Sequence, residues 1–201
     1  MVTPSPAPEP ALAGGHAPRH RKHVAKMNLH LNTDHAWELE GNHVPADLLR
    51  ALRLICAPGD RLVFGCYDIS EAAESALLAM GAREPDPPQE VGLNTRCYFW
   101  NRKEWPKARA FEVIYDDATV LRLVAISKLK GAGKRNLRDS FYDDVAVYRA
   151  GPETLGLVNF NHASNGQVCY LSGRITREVA TAFSKEAGMT CHQVAYPPRQ
   201  P

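Results

Sequence analysis

Between positions 128 and 138 the chain gathers Lys128, Lys130, Lys134, Arg135 and Arg138 with no acidic residue among them, inside SKLKGAGKRNLRD. Gly131 and Gly133 free the backbone there to turn successive N–H groups toward one anion, and the flanking cations add charge. The pattern predicts a phosphate or polyanion contact. It matches neither a Walker A loop nor a dinucleotide-binding glycine fingerprint.

A second constellation surrounds Asn165-Gly166, which lies between LVNFNHAS and QVCYLSG. Asn-Gly between such flanks predicts a two-residue hairpin turn. That turn would set Phe160 opposite Leu171 and His162 opposite Cys169, with directly opposed Cβ atoms about 4.5–5.5 Å apart. A thiol beside an imidazole is the raw material of a nucleophile, so His162 and Cys169 are the candidate catalytic pair. No third residue that would orient the ring is evident.

In RCYFWNRKEW, residues 96–105, Tyr98, Trp100 and Trp105 alternate with cations and are candidates for stacking on a base or planar ligand. The cluster His30, Asp34, His35, Glu38, Glu40 and His43 has metal-like composition. Strand alternation divides it between two faces, however, so a polar strand face is expected and no metal or other cofactor. The adjacent acids Asp116-Asp117 and Asp143-Asp144 point to opposite sides of any strand and make no carboxylate pair.

These residues need elements to hold them. Alternation over 29–39 predicts a strand with Trp37 and Leu39 inward. Pro45, Asp47 and the stripe Leu48, Leu49, Leu52, Ile55 and Cys56 predict a helix over 45–56, and RLVFGCY a buried strand over 61–67. Asp68 or Ser70 would cap a helix burying Ala73, Ala76, Leu77 and Met80 and ending at Gly81. Strands are expected near 96–101, 109–115, 119–127 and 144–149, the second and third joined by a turn at Asp116-Asp117. Thr176 would cap a last helix burying Val179, Ala182, Phe183 and Ala187 and closed by Gly188. The helices running from Ile69-Ser70 to Gly81 and from Ile175-Thr176 to Gly188 echo each other no more than shared capping rules require.

The fold class expected is α+β: an N-terminal β-α-β-α half, then a mainly antiparallel β half closed by a C-terminal helix. In domain terms, residues 1–26 read as a disordered, proline-rich basic tail and 27–84 as the α/β half. A proline-rich linker over 85–95 leads to the antiparallel half over 96–196, and 197–201 form a frayed tail.

The 201 residues are 44% hydrophobic and 23% charged, enough apolar material for a core, and carry a net charge of +2. Arg19, Arg21, Lys22 and Lys26 stand against Glu9 alone in the first 26 residues, leaving a near-neutral remainder. Coating nucleic acid over the whole surface is thereby excluded. No apolar run suits a membrane span, and five widely spaced cysteines without a C-x-x-C pair fit a reduced, cytoplasmic protein.

REVATAFSKEAGM resembles the late helix of the acetyltransferase fold, and KLKGAGKR after LRLVAIS resembles that fold's pyrophosphate loop. The segment after Gly133 departs from it, being short and polar where a long helix is required. The resemblance implies an acyl-CoA-dependent acyltransferase as one alternative, and a nucleic-acid-associated protein is a second. The leading expectation is a protein that binds a small ligand or a protein partner.

Overall fold

The computed structural model describes residues 35–66, 69–85, 109–129, 140–151, 155–160 and 169–194. In chain order they form β1 (His35–Glu40), α1 (Pro45–Ala51, prolonged by a 3-10 turn over Leu52–Leu54), β2 (Arg61–Cys66) and α2 (Glu71–Ala79). Then come β3 (Arg109–Ile114), α3 (Thr119–Ser127), β4 (Asp144–Arg149) and β5 (Leu155–Phe160). The last elements are β6 (Cys169–Ser172), α4 (Arg177–Ala187) and β7 (Thr190–Gln193). The seven strands make one sheet in the order β3-β2-β4-β5-β6-β1-β7, and every neighbouring pair is antiparallel. The fold is α+β.

One face of the sheet carries the core. Trp37, Leu39, Leu62, Phe64, Phe111, Val145, Val147, Phe160 and Leu171 join Leu48, Leu49, Leu77, Leu123 and Phe183 from the helices in a single buried cluster. Each such side chain removed from water stabilises the fold by about 1.5–3 kcal/mol. Positions of the other parity, among them Val63, Glu112, Ala146, Tyr148 and Ser172, are buried as well. Caps follow the expected chemistry: Ser70 Oγ accepts from Ala73 N–H at 3.2 Å and Thr176 Oγ1 from Val179 N–H at 3.4 Å. Gly188 closes α4 in the left-handed conformation, φ 72°, where a side chain would be strained.

Three expectations are corrected. TVLRLVAIS, read as a strand, is the helix α3. Thr119, Val120, Leu123, Val124, Ile126 and Ser127 are buried while Leu121 and Arg122 are exposed, which is helical and not alternating. Asp116, assigned to a hairpin turn, instead prepares this helix, its Oδ1 accepting from Ala118 N–H and Thr119 Oγ–H. The last helix does not close the described chain, because β7 follows α4 and pairs with β1. On α4, Ala180 and Ser184 are buried and Ala182 is exposed, about one position from the expected inner face.

Candidate ligand-binding end of the sheet

Strand directions decide where the sequence-predicted residues go. The registers Cys66↔Arg109, Gly65↔Asp144, Val145↔Phe160 and Phe160↔Cys169 gather the end of β2, the starts of β3 and β4, the end of β5 and the start of β6. At the opposite end lie Arg61, Ile114, Arg149 and Ser172. The segment preceding Arg109, the segment that precedes Ser140 and leads to Asp144, and the segment between Phe160 and Cys169 therefore each have a described flank at the first end. These are the connections containing the aromatic segment, the basic stretch beyond Leu129 and the Asn165-Gly166 pair, all outside the described residues.

Lys128 is exposed and caps the C-terminus of α3. Lys130, Lys134, Arg135, Arg138, Tyr98, Trp100, Trp105 and His162 lie outside the described residues, as does the strand expected near 96–101. Cys169 is fully buried on β6 and stands opposite Phe160. With Asn159 facing Tyr170 and Val158 facing Leu171, the pairing lies two residues from the register that a turn centred on 165–166 requires. A shift of two keeps each side chain on its own face, so the alternation of apolar residues cannot distinguish the registers.

The stems are chemically dense. Arg109 bridges Glu74 at 2.9 Å and Glu84 at 3.3 Å, with its guanidinium 5.6 Å from the centre of the Phe111 ring. Asp143 and Asp144 are buried beside Cys66, and Asp143 N–H donates to Gly65 O at 2.7 Å. Burial, reinforced by Asp143, Asp144 and Glu74, pushes the Cys66 thiol well up. Tyr142 O–H donates to Pro45 O at 2.9 Å, and buried His43 sets its ring edgewise to Phe160 at 4.7 Å.

The other thiols behave likewise. Burial and then Asp60 push Cys56 up to about 12; burial and then Cys191 raise Cys169; burial raises Cys191. The four cysteines of the described residues are thus protonated near neutrality and poor nucleophiles.

The acid–imidazole cluster is dispersed. His30 and Asp34 lie outside the described residues, His35 pairs with Ser172, and His43 is in the core. Glu38 sits on the outer face between Tyr170 of β6 and His192 of β7. Its carboxyl is raised by burial and by Glu40, against the pull of His192. Among the described residues no group of three His, Cys, Asp or Glu is arranged to hold a metal.

Sequence reasoning missed one ionic centre, on the β3 edge of the sheet. Glu112, 1% exposed, takes Arg61 on one carboxylate oxygen and Arg83 on the other, at 2.5–3.0 Å. Burial works against its ionisation, but the bonds from Arg61 and Arg83 outweigh it and hold the carboxyl below its ordinary value. Its members are too far apart in sequence for any local spacing to betray it.

No protein-family model, curated protein or solved structure matches this chain. The acetyltransferase resemblance needs LRLVAIS as a strand leading into the basic stretch, and that segment belongs to α3.

Proposed function

We propose that this chain is a binding protein that takes a small ligand or a protein partner, meeting an anionic group of it with Lys128, Lys130, Lys134, Arg135 and Arg138. The observation that carries this reading is the convergence of stems. Arg109, Asp144, Phe160 and Cys169, which flank the aromatic, cationic and 161–168 connections in sequence, stand at one end of the sheet. Binding groups are concentrated on loops that a rigid scaffold holds together. The four described cysteines are free, which supports a reduced setting such as the cytoplasm.

The test is thermal stability of the full chain against nucleotides, acyl-CoAs and heparin, with Lys134→Glu/Arg135→Glu as comparison. A ligand at 100 times its Kd adds about 2.7 kcal/mol of stability. At least one phosphate- or sulfate-bearing ligand should stabilise the natural chain and lose that effect in the double variant. Equal stabilisation of both proteins would refute the reading. Steep salt dependence of DNA or RNA retention would move it to the nucleic-acid alternative.

A further inference from the structure

The two edges of the sheet are protected differently. On β3, Arg83 forms a one-residue antiparallel bridge with Glu112, exchanging both backbone hydrogen bonds, and seals the edge with the ion pair between their side chains. On β7, among the described residues, only β1 is a partner. Thr190, His192 and Gln193 are exposed, and the strand TCHQ contains neither a proline nor the lysine that commonly blocks an edge. Val194 N–H donates to Ala36 O at 2.9 Å, so Glu38↔His192 is likewise a hydrogen-bonded pair. The main-chain groups of Cys191 and Gln193 consequently point away from β1, toward an edge that no described residue pairs with.

Charge around this edge selects what can lie on it. Arg177, Thr181 and Lys185 recur every four residues along α4 and are all exposed. Glu186 and half-buried Val179 mark the side of α4 turned toward α1, where Glu186 pairs with Arg53 at 2.8 Å. Arg177 lies about half a turn around the helix from Val179 and Glu186, on the side away from α1 and toward β7. Glu178, seven residues before Lys185, lies near the same outward line of the helix, so Arg177 is the cation nearer the sheet edge. On the opposite face of the sheet, Glu38 and Glu40 of β1 flank His192 and Thr190. A second copy added by two-fold pairing would bring Arg177 of one α4 toward Lys185 of the other, like against like. The first 26 residues of the chain are basic and have the wrong sign for the α4 side.

We propose that the β7 edge accepts an extended peptide segment of a partner as an eighth strand, with acidic side chains at alternate positions beneath Arg177 and Lys185 and neutral or basic ones on the Glu38 face. Main-chain bonds to Cys191 and Gln193 supply the pairing and the alternating charge supplies the choice of partner. This site is independent of the basic stretch.

The experiment titrates the full chain with labelled peptides, one alternating Glu and Thr, one of the same composition in blocks, and one alternating Lys and Thr. Fluorescence anisotropy is read. The alternating Glu-Thr peptide should bind, the block peptide at least tenfold more weakly. Arg177→Glu/Lys185→Glu should reverse the preference toward Lys-Thr, a gain that a misfolded variant would not show. Gln193→Pro, which removes an outward N–H and leaves the β1 pairing intact, should abolish binding with the far-UV spectrum unchanged. The proposal is overturned if the Glu-Thr peptide fails to bind at about 1 mM, or if both variants bind it as the natural chain does. Self-association that Gln193→Pro removes would also overturn it, in favour of a second copy.

Discussion

Glu112 shows how a charged group is held in a buried position. Its two oxygens each receive a guanidinium from a different element, so the charge is matched where water is excluded. Breaking such a group from one side leaves an uncompensated charge behind. Glu112→Gln should lower unfolding stability by about 1–3 kcal/mol in denaturant titration at neutral pH. Because the folded carboxyl lies below its ordinary value of 4.5, its contribution is complete above that pH and is lost as the pH falls through the lowered value. The difference between natural chain and variant should accordingly shrink in acid; a constant difference from pH 7 to pH 3 would refute this assignment. Asp60 is a second buried acid of this kind, accepting from Ala57 N–H and Ala150 N–H and pairing with Arg149 at 3.1 Å. Arg61 and Arg83 for Glu112, and Arg149 and Ala150 for Asp60, lie far away in sequence, while the Ala57 N–H bond to Asp60 is local.

At the scale of elements, the caps were legible in the sequence and α3 was not. Ser70, Thr176 and Gly188 act on neighbours within a few residues, and such chemistry is written locally. The valines, isoleucine and threonine of TVLRLVAIS favour a strand by propensity, but packing against α1 and α2 settles the segment as a helix. Two substitutions separate the readings, because strand alternation would put Leu121 and Leu123 on the same face. In α3, Leu123 is fully buried and Leu121 is 74% exposed. Leu123→Ala should cost about 2–5 kcal/mol and Leu121→Ala less than about 0.5 kcal/mol. Equal losses would contradict the helix. The β5–β6 hairpin was legible as a pair of strands facing inward, yet its register was not: Phe160 and Cys169 remain in the core under either alignment. That ambiguity left the partner of Cys169 open in the sequence; in the sheet it is Phe160.

For the whole molecule, the division into an α/β half and an antiparallel half dissolves in the sheet. β2 lies between β3 and β4, which α3 joins, and β1 lies between β6 and β7, which α4 joins. The β2–α2–β3–α3–β4 unit thus repeats the layout of β1, α1, β6, α4 and β7, and is set within it. This architectural repeat matches α2 with α1 and α3 with α4, whereas the sequence echo pairs α2 with α4. Each strand of the first half has later strands on both sides, so a chain ending at Glu84 should show no cooperative unfolding by circular dichroism. A sigmoidal melt from that fragment would contradict the nested topology. The same topology sets Cys66, Arg109, Asp144, Phe160 and Cys169, which flank the candidate connections in sequence, at one end of the sheet. Amide chemical shifts, followed while the phosphate-bearing ligand found by thermal stability is added, test that account most directly. Cys66, Arg109, Asp144, Phe160 and Cys169 should move while Arg61, Ile114, Arg149 and Ser172 stay in place. Shifts confined to the second group, or spread evenly over both, would contradict it.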